Sequence, residues 1–152
     1  MSPVEIEVVR RKLAIIVENL KALELIMAMS HDEYLADIYK RKATERLLQE
    51  LIEAAVDINT HIIVETGNQM PDYYYESFMK LADIGVFPLS LAEKLAPSTG
   101  LRNRLVHEYD KIDHSVILSA VKTAEELYPL YISEINKYCQ ALANSQPPAA
   151  SR

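Results

Sequence analysis

Between Ser98 and Asp113 the chain reads "STGLRNRLVHEYDKID", which sets Arg102, Asn103, Arg104, His107 and Tyr109 within eight positions. Arginine followed after four intervening residues by histidine, with a tyrosine two further on, is a set suited to phosphodiester chemistry. Cutting RNA without a metal requires three things: activation of the 2′-hydroxyl, stabilisation of charge on the phosphate, and protonation of the departing 5′-oxygen. Histidine titrates near neutrality and suits the proton transfers. Arginine stays charged and offers a planar fork of donors to phosphate oxygens. Asparagine can orient the ribose or the imidazole, or serve only as a local hydrogen bonder. Arg104 is either a second cation of the site or an ion-pair partner for Glu108. The products expected of such a site are a 2′,3′-cyclic phosphate and a 5′-hydroxyl.

Helical geometry refines the set. At about 100° per residue, Arg102 and His107 stand roughly 140° apart around a helix, while Asn103 and His107 share a face. One chain supplies one histidine here, whereas acid and base roles usually fall to two groups. A twofold homodimer would bring two copies of the motif into one cleft. Tyr109 would stand at its mouth, where its hydroxyl can meet a phosphate.

The elements that must position these residues are helices. Only three glycines in 152 residues, with 49% hydrophobic residues, leave little room for hairpins or Gly-rich phosphate loops and enough apolar material for one domain. Val9, Leu13, Ile16, Leu20, Leu23 and Met27 recur at threes and fours, predicting a first helix over 4–29 behind Ser2 and Pro3. Ser30 or Asp32 caps a second helix running to about Glu65, whose buried side carries Ile38, Leu47, Leu48, Leu51, Ile52, Ala55, Ile58 and Ile62. Asp72 is a candidate cap for a short helix that Gly85 closes; Pro88 opens another, and Pro97 and Gly100 fence off the motif segment. A last helix over 114–142 carries Val116, Ile117, Ala120, Val121, Ala124, Leu127, Ile132 and Ile135, with Pro129 expected to kink or split it. The result is an all-α antiparallel helical bundle over 1–142, followed by a disordered tail over 143–152.

Other features bound the function. The formal net charge of −6 argues against a generally basic nucleic-acid-binding surface, but not against a local one. Lys40, Arg41, Lys42 and Arg46 form a basic run that either guides RNA or is a solvated helix face. Tyr73, Tyr74 and Tyr75 either stack on single-stranded bases or pack at a helix start or subunit contact. Asp57 and Glu65 are further candidates to face the cleft, while His61 reads as a core histidine and His31 and His114 as helix-boundary residues. The single cysteine, Cys139, fits a reducing compartment, and no metal-ligand spacing stands out, so neither metal nor cofactor is expected. Two acids and no uninterrupted apolar core in the N-terminal segment, with only short apolar runs elsewhere, predict neither a signal peptide nor a membrane span, and so a cytoplasmic protein.

The motif "RNRLVHEYD", the middle segment "SFMKLADIGVFPLSLAEKL" and the helix order together resemble the HEPN superfamily, in its HepT-like branch, over roughly residues 4–142. The resemblance implies a metal-independent endoribonuclease toxin, homodimeric, with Arg102 and His107 as its catalytic pair and Asn103 at the polar position beside the arginine. It further implies an MntA-type minimal nucleotidyltransferase as antitoxin, silencing the toxin by adenylylating Tyr109. The rival reading is a non-catalytic helical partner that docks with the nucleotidyltransferase and presents substrate.

Overall fold

A computed structural model describes residues 4–108 and 110–145. Among them seven helices follow one another: α1 (Ile6–Met27), α2 (His31–Ala36), α3 (Ile38–Glu65), α4 (Tyr74–Ile84), α5 (Leu89–Leu95), α6 (Ser98–His107) and α7 (His114–Ser145). No strand occurs among the described residues. Neither Ser2 nor Pro3 lies within them, so the expected cap of the first helix is not described; α1 instead takes Glu5 as its N-cap residue.

Helix α3 is the spine, touching α1, α2, α4, α6 and α7. Three side-chain contacts fix the sense of α1 against it. The Glu5 amide donates to Nε2 of His61 at 3.0 Å, Lys12 pairs with Asp57 at 2.9 Å, and Asn19 donates to the Leu47 carbonyl at 3.0 Å. As one number rises the other falls, so the two helices are antiparallel. Helix α7 runs the other way. His114 at its start meets Tyr34 at 3.2 Å, and Tyr131 reaches Asn59 at 2.6 Å, so α7 is parallel to α3 and antiparallel to α1. At 1.5 Å per residue α3 is about 42 Å long. The chain must return along that length between the two, and α4, α5 and α6 carry it back.

The core forms where the apolar stripes meet. Val9, Leu13, Ile16, Leu20 and Leu23 are all buried as their spacing predicts, but the last turn of α1 turns Ile26 inward and leaves Met27 exposed. On α3 the expected set is buried apart from Leu47, which is half-buried, and Ile38, which is exposed. On α7 the buried line is Ile117, Val121, Ala124, Tyr128, Tyr131, Ile135 and Cys139, while Val116 faces out. Burial pushes the Cys139 thiol upward, so it remains protonated.

Three local features differ from expectation, and a fourth decides between two expected caps. The second helix is broken at Asp37, whose carboxylate accepts from the Tyr39 and Lys40 amides and so caps α3, while the Arg41 guanidinium donates back to the Leu35 carbonyl at the end of α2. Ser30 rather than Asp32 caps α2, accepting from the Glu33 amide at 3.1 Å. Helix α4 begins at Tyr74 without a side-chain cap, so Asp72 does not play that part; Gly85 closes it as expected, with φ of 95° and its amide bonded back into the last turn. Pro129 neither splits α7 nor ends it, and the helix reaches Ser145, three residues beyond the expected end. The proline is exposed, and its missing amide leaves the Glu125 carbonyl without its helical partner.

Candidate functional site

Helix α6 is nearly a continuation of α5, because Ala96 and Pro97 between them keep right-handed helical backbone. Gly100 therefore lies inside α6 and does not fence it off. Buried Thr99 and Leu105 anchor the helix, and the Ser98 hydroxyl bonds both the Leu95 carbonyl at 2.7 Å and the Tyr128 hydroxyl at 2.8 Å. With that side held, Gly100, Asn103, Arg104 and His107 fall on the exposed side at spacings of three and four.

Arg102 projects differently. It is half-buried against α3 and α4: its Nε donates to Glu53 Oε1 at 3.1 Å, and its guanidinium carbon stands 5.1 Å from the centre of the Tyr74 ring. One Nη1 hydrogen goes to Asn103 Oδ1 at 3.2 Å. The guanidinium is thus gripped at its inner edge by a carboxylate and an aromatic face, and tied at its outer edge to the asparagine that precedes His107 by one turn. Its Nη2 hydrogens remain available to an anion. Glu53, Val56, Asp57, Tyr74 and Arg102 line a small cleft of about 170 Å³ there.

Asp57 reaches this cleft as considered above, bridged to Lys12, whereas Glu65 lies about 12 Å further along α3. His61 caps α1, and His114 bonds Tyr34; neither joins the motif. Arg104 makes no ion pair with Glu108 among the described residues, because α6 ends at His107. Tyr109 lies outside the described residues. The basic run occupies the first turns of α3, about 20 Å along the axis from Lys40 to Glu53. Within it Lys42 pairs with Glu45 and Arg46 with Glu50, and Arg41 is spent on the end of α2, which leaves the solvated-face reading the better fit for those three.

Two members of the site were not singled out as such by the sequence. Glu53 offers only a weak signal, an acid four residues before Asp57 on the same helix face. Tyr74 belongs to the tyrosine run, and of the two uses considered for that run its ring takes the packing one, against Arg102. No group of three or more His, Cys, Asp or Glu able to hold a metal occurs among the described residues. None of the described helices is long and apolar enough to cross a membrane.

Residues 16–137 match the model of a family described as ribonuclease HepT-like. The chain belongs to the HepT-like family. Among curated relatives of this HepT-like chain, the tRNA nuclease HepT of Aphanizomenon flos-aquae (strain 2012/KM1/D3) is 38% identical over 138 residues, which is 91% of this chain and 94% of that protein. The mRNA nuclease HepT of Shewanella oneidensis is 30% identical over 88 residues, 58% of this chain and 66% of that protein. Among solved structures, the tri-AMPylated Shewanella oneidensis HEPN toxin in complex with MNT antitoxin superposes with a TM-score of 0.77 at 24% identity, covering 86% of this chain and 97% of that one. The cytosolic protein YutE from Bacillus subtilis gives 0.80 at 18% identity over 99% of this chain and all of that one. These two likenesses establish that the HepT-like chain shares its all-helical fold with both proteins.

Proposed function

We propose that this HepT-like protein is an endoribonuclease toxin that cuts RNA without a metal. The observation that carries the reading is the grip on Arg102: Glu53 and Tyr74 hold its inner edge while Asn103 links its outer edge to the helix face that bears His107. A guanidinium restrained in this way is preorganised for an anion, so little ordering entropy remains to be lost when phosphate arrives. The curated relative matched over nearly the whole chain is a tRNA nuclease, which supports transfer RNA as the substrate class.

In the reaction, one His107 takes the proton of the 2′-hydroxyl as that oxygen attacks phosphorus. The bond from phosphorus to the 5′-oxygen breaks, and the leaving oxygen is protonated by the His107 of a second protomer across a twofold axis. Arg102 neutralises charge on the non-bridging oxygens, and Asn103 holds the imidazole or ribose in register. Regulation would follow the relatives whose solved complexes contain an MNT antitoxin and an AMPylated toxin. An MntA-type nucleotidyltransferase would transfer adenylate from ATP to Tyr109: the phenolic oxygen, losing its proton, bonds to the α-phosphorus as the α–β phosphoanhydride bond breaks and pyrophosphate leaves. The attached adenylate would block the cleft.

The deciding experiment incubates purified protein and its His107→Ala variant with transfer RNA in a chelator. Wild type should yield ends bearing 2′,3′-cyclic phosphate, and the variant should be slower by about 10²- to 10⁴-fold. RNA left intact by wild type that still binds its nucleotidyltransferase would replace this reading with the docking partner. Ends bearing a 3′-hydroxyl would retain the nuclease but overturn attack by the 2′-oxygen.

A further inference from the structure

Beside the motif, on the flank of α6 away from Arg102, lies a groove of about 410 Å³ between α6 and α7. Its floor is apolar, made by Leu48 and Ile52 of α3, Leu101 of α6 and Leu127 of α7. Its polar rim carries Lys94, Arg104, Ser119 and Thr123. Among the described residues no carboxylate lines it, in a chain with 22 aspartates and glutamates and a net charge of −6. Neither Lys94 nor Arg104 forms an ion pair among the described residues, whereas Lys12, Lys42, Arg46 and Arg102 all do. An apolar floor beneath an acid-free, cationic rim is complementary to a planar base carrying a phosphate.

Gly100, in the same wall, adds an independent observation. Glycine inside a helix is unfavourable relative to alanine and needs a reason. None exists among the described residues: its φ is not positive, and a Cβ built there would meet nothing within 4 Å. It is exposed, one turn before Arg104, which is itself one turn before His107. The glycine therefore keeps the wall low for something outside the chain.

We propose that this groove seats one unstacked nucleotide of a single-stranded stretch of the RNA substrate, its base over Leu101 and Leu127 and its phosphate between Lys94 and Arg104. The subsite rests on the reading of RNA as substrate. Arg104 and His107 are three residues apart on one exposed face of α6, with Cβ atoms about 5–6 Å apart, so a strand held by Arg104 runs on towards the catalytic face. The groove would thus select unpaired RNA, since a base within a duplex cannot leave its stack without cost.

The test measures binding of the full chain to a short single-stranded 2′-O-methyl oligoribonucleotide, which lacks the nucleophile and is not consumed. Thr123→Leu fills the groove with apolar volume and should weaken binding about tenfold. Arg104→Gln and Lys94→Gln should each lower the slope of log affinity against log salt, the double variant by about 0.7 for the one phosphate they share, while Lys122→Gln should not. Gly100→Ala is the sharpest variant: it should raise Tm by about 2–4 °C yet weaken binding, a combination that misfolding cannot produce. The same variants are scored for cleavage. If wild type cleaves RNA and the groove variants bind and cleave like it, the subsite is wrong and the nuclease stands. If wild type binds but never cleaves, and the variants still bind less, the nuclease reading is wrong and the groove stands. Equal affinity for a fully paired duplex, or variants that only dissociate an oligomer, would also overturn the subsite, the second by showing that another copy of this chain fills the groove.

Discussion

Arg102 and Glu53 stand 49 residues apart in sequence and 3.1 Å apart in space, with both side chains partly shielded from water. In sequence the arginine is the residue expected to hold phosphate; in the fold it is the partner of an acid on the central helix. The pair contributes little to stability, since a partly solvated ion pair is worth about 1 kcal/mol or less. Its consequence is directional. With Nε committed to Glu53, the guanidinium can present only its outer edge to an anion.

Glu53→Ala should therefore separate activity from stability. The variant should lose on the order of 10²-fold in kcat with KM little changed, because the phosphate-binding group survives but is no longer aimed. Glu53→Gln, which retains an oxygen for Nε, should recover part of that loss. Tm should move by only a few degrees in either variant. Steady-state cleavage beside thermal unfolding reads both quantities, and an alanine variant with wild-type kcat would show that Glu53 does not position Arg102.

A buried polar relay connects the core to the same site. The Tyr131 hydroxyl lies 2.6 Å from Asn59 Oδ1 and 3.1 Å from the Ala55 carbonyl; Asn59 donates to Ser77 Oγ at 3.1 Å, and Ser77 to the Tyr74 carbonyl at 2.7 Å. Burial pushes the Tyr131 hydroxyl far above its ordinary range, with the nearby Tyr128 adding to the shift, so it remains a neutral donor. Tyr131→Phe keeps the ring against Phe78 and Phe87 but strands Asn59 Oδ1. The expected cost is about 1–3 kcal/mol, read as a lower denaturation midpoint at unchanged m-value. A variant as stable as wild type would mean that the relay carries no net stabilisation.

The apolar stripes of α1, α3 and α7 were legible because a 3.6-residue period records which face meets a neighbour. Gly85 was legible because the φ of 95° required there favours glycine. The break at Asp37 was not: the apolar pattern runs on through it, and only the observed cap shows the aspartate ending one helix and starting the next. The motif on α6 was visible as residue types and spacing, but Glu53 and the packing of Tyr74 under Arg102 depend on how α3, α4 and α6 dock. No local spacing encodes a contact across 49 residues.

Pro129 provides a test on α7. The helix passes through it unbroken, the residue is exposed, and the Glu125 carbonyl lacks the amide that any other residue would supply. Pro129→Ala should therefore stabilise the protein, by up to about 3 kcal/mol if no compensating bend is built into the helix. Chemical denaturation measures the gain. A loss of stability instead would show that a proline bend at this point is needed to pack the C-terminal half of α7.

Glu125 itself makes stability depend on pH. Its Oε1 is buried without a hydrogen-bond partner among the described residues, and burial, with a smaller contribution from Glu24, raises its carboxyl above the usual glutamate range. The folded chain thus holds the proton more tightly than the unfolded chain does. Unfolding free energy should then fall as pH rises from the ordinary glutamate value through the raised one, and stay at the reduced level above it. Glu125→Gln removes the charge while keeping the shape. It should be more stable than wild type at neutral pH, and the difference should shrink towards zero once the pH drops below the ordinary glutamate value. Parallel denaturation curves for the two proteins from mildly acidic to neutral pH measure that convergence; a constant offset across the range would show that Glu125 is not the group responsible.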